Sequence, residues 1–348
     1  MSKFKFILSF IFFIALTACG IFAAAMQTEQ KNFSFDLIAS LPWTVVSALI
    51  ISSICIYLVD ILRFFIFSHM IGVRLQFLHA LEAAIVNLFF GWVTPGAAMG
   101  APAAVYTLGK RGIPWDASLI ICFGKSLTGF GTILLLAFVM IAMGLGPQID
   151  NIFIYGILWS ASFIAFFFIA LPIVGSFYSA STHRSLDRIE QKLFSKNPKI
   201  KLRANKIFKV LKDMIERLRL LHNQRKFLFL IALVSQLLYF AAFIAPAVIV
   251  CHYFGGEISK AIPHSLIYTA LAYSAPTPGG AGISEASSVI FFNTIVPAMS
   301  AAYVGVIFRG FTFYFQILMG ILYFLFFGGG SAILNSKNAL AGKSHEPS

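Results

Sequence analysis

From Phe6 to Met26 the chain runs 21 residues without a charged side chain, FILSFIFFIALTACGIFAAAM, and runs of this kind recur down its length. A helix needs about 20 apolar residues to cross the roughly 30 Å hydrocarbon core of a bilayer. Inside that core every backbone donor and acceptor must be satisfied internally, which leaves helices as the way such runs are used. The composition agrees: 59% of the 348 residues are hydrophobic and 11% charged, where a soluble domain carries about 25% charged. The expected fold class is therefore an all-α polytopic membrane protein.

The runs place full spans at 4–26, 37–68, 116–143, 152–179, 227–253 and 298–334. Two further apolar segments, 78–108 and 261–296, each break at a Pro-Gly. Charge then sets the topology, because cytoplasmic loops carry the excess of Lys and Arg. Fourteen of the 26 Lys and Arg fall in 180–226. With both termini cytoplasmic, and with each broken segment entering and leaving on one side, 21 basic residues are cytoplasmic and two, Lys31 and Lys260, external. That arrangement is six full spans plus two re-entrant Pro-Gly hairpins in one integral membrane domain. Its parts are a first span and outer loop (1–36), a first repeat plus an extra span (37–179), a basic linker (180–226), a second repeat (227–334) and a cytoplasmic tail (335–348).

The net charge of +13 is thus accounted for by a loop between spans, and no nucleic-acid partner is expected. Within the linker, Ile207, Leu211, Met214, Leu218 and Leu221 recur at helical spacing with Lys and Arg opposite. This reads as an amphipathic helix on an anionic leaflet, or else as a solvated connector. Cys19, Cys55, Cys122 and Cys251 stand far apart in apolar segments and have no metal-ligand spacing. LTAC at 16–19 resembles a lipoprotein processing site, but the apolar GIFAAAM that follows favours a retained first span. Walker loop, HExxH and GxSxG motifs are missing, so no catalytic residue, metal or cofactor is expected, nor ATP-driven transport by this chain alone.

Thr94-Pro95-Gly96 recurs as Thr277-Pro278-Gly279, an offset of 183, and the same offset carries Pro114 onto Pro297. In the topology above the two halves run in opposite directions. Inverted repeats with Gly/Pro-broken segments at matching places point to a transporter with its site near the midplane. Ionisable residues in spans are costly and mark functional sites by default. Glu285 and Arg309 both follow the second break, Arg309 on the next span, whereas Glu82 precedes the first break and Lys125 sits on the span after it. Arg309 and Lys125 are suited to an anionic head group, Arg309 through its planar fork. Glu285 is placed to pair with Arg309, and Glu82 with Lys125; the bland alternative makes both pairs structural. Asp60 and Arg63, three apart on one helix, read as a local pair that anchors the span near the cytoplasmic surface. Asn87, Gln236, Asn293 and Gln316 are candidates to line a cavity or to bond helices together, and His79 and His264 are expected at an interface.

PTPGGAGISEAS at 276–287, followed by Pro297 and by FRGFTFYFQILMG at 308–320, resembles the flippase-like membrane proteins related to the lysylphosphatidylglycerol synthase transmembrane region. Pro276, Pro278, Gly279, Gly280, Gly282, Glu285 and Arg309 match that family's motif. The first half, with AAMGAPAAV after its own break, matches more loosely. The resemblance implies an inner-membrane protein that moves a phospholipid or lipid-linked anionic intermediate between leaflets, with membrane lipids as partners and no synthase domain. A non-transporting scaffold for envelope assembly and a carrier of a small anionic solute stay open, as does a homo-oligomer.

Overall fold

The computed structural model describes residues 36–147, 156, 226–275 and 277–328, and every regular element among them is helical. After a short turn at Asp36–Ala39 come α1 (Trp43–Met70), α2 (Phe77–Trp92), α3 (Gly100–Lys110) and α4 (Trp115–Ala142). The second half holds α5 (Lys226–Tyr253), α6 (Ile258–Ser274), α7 (Ile283–Phe292), α8 (Ala298–Arg309) and α9 (Phe315–Tyr323). A π-helical turn, Gly310–Tyr314, joins α8 to α9, and a second, Phe324–Gly328, follows α9.

Four helical stretches are long and apolar enough to cross a membrane: Trp43–Met70, Trp115–Ala142, Leu230–Tyr253 and Ser300–Phe327. Each was expected from the sequence. The expected spans at 4–26 and 152–179 and the amphipathic linker lie outside the described residues. The long helices present large apolar side chains outward. On α1 these are Ile51, Ile54, Leu58 and Leu62, all exposed and spaced along one face. Such a stripe suits hydrocarbon rather than water. The chain is a multi-pass membrane protein.

Local chemistry sets the helix starts. Pro42, Pro114 and Pro297 each precede a helix with nearly the same backbone, φ −57, −52 and −50° with ψ 142, 138 and 138°. Proline's fixed φ and missing donor suit the entry to a helix, where the first N–H groups lack intrahelical partners.

The offset of 183 extends from motif to architecture. Trp43–Met70 maps onto Lys226–Tyr253 at both ends, and α3 and α4 map onto the starts of α7 and α8. Contacts obey the same exchange. α1 packs against its counterpart α5, α2 packs on α9, and α4 packs on α6. The Thr-Pro-Gly turns match bond for bond: Ala97 N donates to Thr94 O and Ala98 N to Pro95 O, as Gly280 N does to Thr277 O and Ala281 N to Pro278 O. Gly96 and Ala97 take φ of 58 and 55°, Gly279 and Gly280 of 55 and 72°. The turns also meet, because Pro95 and Pro278 form an isolated antiparallel bridge. Positions related by the offset thus touch each other.

Candidate functional site

Charge breaks this symmetry. In the second half, the turn is tightly filled. A Cβ on Gly279 would lie 2.0 Å from the Phe313 ring, so only glycine admits that ring. Phe313 in turn lies under the Arg309 guanidinium, 3.8 Å from its carbon to the ring centre. Arg309 Nε donates to Glu285 Oε1 at 3.1 Å. Glu285 Oε2 accepts from Gly282 N at 2.7 Å and from Ser284 Oγ at 3.1 Å. The carboxylate therefore caps the start of α7 as it pairs with Arg309. Both residues are 2% exposed. One acid and one base, sealed and mutually bonded, form a neutral brace between α7 and α8, with Arg309 NH2 left buried and without a hydrogen-bond partner.

The first half is built differently, and one expected pairing is corrected. Glu82 does not pair with Lys125. It accepts from Arg111, through Nε at 2.7 Å and through NH2, on an exposed face, because α3 folds back along α2 and brings its C-terminal arginine alongside. That bond pushes the Arg111 guanidinium further above its ordinary pKa. Lys125 instead donates to both oxygens of Asp60, at 2.7 and 2.8 Å. Asp60 Oδ1 also accepts from Arg63 NH1 at 2.8 Å. The Asp60–Arg63 pair forms as expected, but as part of a buried cluster rather than a surface anchor: Asp60 is 0%, Arg63 4% and Lys125 1% exposed. Asp60 and Arg63 lie on α1, which packs against α5 and against α4, the helix that carries Lys125.

This cluster has one carboxylate for two cations, and it borders space. A cavity of about 280 Å³ is lined by Arg63 and Lys125, by Asn87 and Ser126, and by aromatic rings that include Trp92 and Tyr273. Gly96 and Ala97 of the first turn also line it. Arg63 Nε and Asn87 Oδ1 are buried there without a hydrogen-bond partner. A Cβ on Gly129 would come within 2.7 Å of Arg63 NH2, so glycine leaves room for the guanidinium. Arg63 lies over the Tyr239 ring at 4.2 Å, and Lys125 over Phe64 at 4.1 Å.

The offset explains the cavity. Arg309 maps onto Ser126, Phe313 onto Phe130 and Glu285 onto Pro102. Where the second half holds an arginine, the first holds a serine and an opening. The residues AAMGAPAAV offer no acid after the first turn, and Asp60 supplies one from α1.

The remaining candidates divide. Gln236 Nε2 donates to Thr128 Oγ1 at 2.9 Å, and Gln316 accepts from Trp92 Nε1, so both tie helices together. Asn293 is exposed. His264 is buried, its ring nitrogens facing Lys260 O and Thr294 Oγ1; His79 is half-buried. Thr94 Oγ1 donates to Phe90 O and accepts from Met99 N, whereas Thr277 Oγ1 is buried without a partner. Pro276 lies outside the described residues.

The profile of the lysylphosphatidylglycerol synthase TM region matches residues 6–320. The chain belongs to that family. A UPF0104 membrane protein of Archaeoglobus fulgidus is 22% identical over 317 residues, covering 88% of this chain and 94% of its own. No solved structure matches the chain. The motif that suggested the family contains the brace of Glu285 and Arg309. The cavity cluster of Asp60, Arg63 and Lys125 lies in the half that resembled the family less closely.

Proposed function

We propose that this protein is a lipid translocase of the inner membrane, carrying an anionic lipid head group between leaflets past the two Thr-Pro-Gly turns. The observation behind the reading is a cavity with buried cations, next to the point where two broken segments meet, in a membrane protein of a lipid-related family. Short helices favour re-entrant hairpins: at about 1.5 Å per residue, α2 reaches only about 24 Å, less than the hydrocarbon core. Exposed turn backbone at that depth is tolerated where it is buried in protein or lines a water-filled cavity, and Gly96 and Ala97 line a cavity here. The antiparallel meeting of Pro95 and Pro278 is the contact expected of halves with opposite orientation, both termini being cytoplasmic. In this reading the protein is not an enzyme, and Arg309, Glu285, Thr277, Pro278, Gly279, Gly280 and Gly282 brace the path that Lys125, Thr94, Pro95 and Gly96 line.

The test is leaflet exchange of fluorescent phospholipids in liposomes containing the purified protein. Exchange above that of empty liposomes, lost in Lys125→Ala of equal fold and insertion, is the expected result. No exchange with anionic or zwitterionic lipid under any imposed ion gradient overturns it. The neutral Glu285–Arg309 brace favours a second reading, a non-transporting scaffold, and that negative result would select it.

A further inference from the structure

The two halves share one plan but not one charge. Counting formal charges among the described residues, Arg63 and Lys125 against Asp60 leave one positive charge unbalanced at the cavity wall. Both Asp60 oxygens are already used, Oδ1 by Arg63 and Lys125 and Oδ2 by Lys125. Arg63 has a guanidinium N–H, at Nε, with no acceptor, although the residue is 4% exposed and lines the cavity. A buried, unpaired donor on a charged group is costly unless something fills the gap. The gap lies at the offset-related place that Arg309 occupies in the other half.

We propose that the cavity is a binding site for one phosphodiester monoanion of a lipid head group, held by Arg63 and Lys125. This rests on the translocase reading for its lipid source, but the site itself rests on the cluster and the cavity. A monoanion brings the buried charge to zero. A dianion would leave an excess negative charge, which low-dielectric surroundings penalise. A zwitterionic head group would bring a cation to a place where the only carboxylate among the described residues is already shared by two cations. Charge-assisted hydrogen bonds to a phosphate oxygen would complete the Arg63 donor set. Rings such as Trp92 and Tyr273, with the Ser126 hydroxyl and the Asn87 amide, suit a polar glycerol-like group with an apolar neighbour rather than a freely hydrated ion.

The experiment is direct binding to the full-length protein in uncharged detergent, by titration calorimetry. Short-chain phosphatidylglycerol, short-chain phosphatidylcholine and inorganic phosphate are titrated separately. Phosphatidylglycerol should bind at least about tenfold more tightly than either of the others, the usual scale of one charge-assisted hydrogen bond. Arg63→Gln should lower that affinity about tenfold or more. Ser126→Leu fills the cavity without adding a charge, and it should abolish binding while leaving thermal unfolding close to wild type; it serves if Arg63→Gln fails to fold. Equal binding of the two lipids, or undiminished binding in Ser126→Leu, overturns the site. Phosphate binding as tight as phosphatidylglycerol overturns the lipid assignment. Leaflet exchange without head-group preference would sink this proposal alone, and selective binding without exchange would sink only the translocase.

Discussion

At the residue scale, Ala97 and Gly279 have opposite relations to their backbone. Ala97 adopts φ of 55°, a left-handed conformation that costs a non-glycine residue roughly 1 kcal/mol. Ala97→Gly should therefore stabilise the protein slightly or be neutral, read by thermal unfolding in detergent. Gly279→Ala should do the reverse, because its Cβ would drive Phe313 out from under Arg309. Removing one partner of a buried pair strands the other, at about 3–5 kcal/mol. Arg309→Leu should thus be strongly destabilising, and the double variant Glu285→Leu/Arg309→Leu should regain part of the loss. A brace behaves this way, whereas a transport-only pair would lose exchange without losing stability. The identity of these charges could be read from sequence, since ionisable residues in apolar runs stand out. The pairings of Glu285 with Arg309 and of Asp60 with Arg63 could be read there too, but that of Lys125 could not. Asp60 and Lys125 are 65 positions apart, and nothing local distinguishes Lys125's true partner from Glu82, which α3 draws off to Arg111.

At the element scale, the apolar runs defined α1, α4, α5 and the α8–α9 stretch with ends a few residues from those observed, because a membrane span leaves so uniform a signal. The constant offset likewise foretold that α2–α3 and α6–α7 would share a turn. What stayed hidden was which residues of the two turns touch, which depends on packing of α2 on α9 and of α4 on α6. Residues paired across an antiparallel bridge have Cα atoms about 4.5–5.5 Å apart, within disulfide range. Pro95→Cys with Pro278→Cys, in a background lacking the four native cysteines, should therefore form an intramolecular disulfide on mild oxidation, detected by mass spectrometry. If transport needs the turns to part, the same cross-link should arrest leaflet exchange and a reductant should restore it.

At the scale of the whole molecule, the proposed orientation makes a plain prediction about sidedness. Single cysteines introduced at Arg74 and Lys110 should react with an impermeant thiol reagent from the cytoplasmic face, and one at Glu257 from the opposite face. Labelling of all three from one side would exclude opposed halves. One consequence of the unbalanced cluster reaches beyond binding. An empty cavity carrying one net positive charge feels the membrane potential, whereas the same cavity holding a monoanion is electrically silent. A potential of 100 mV acts on one charge moved across the membrane with about 2.3 kcal/mol. In a working translocase, voltage would then set the pace of the unloaded return and leave the loaded passage almost untouched.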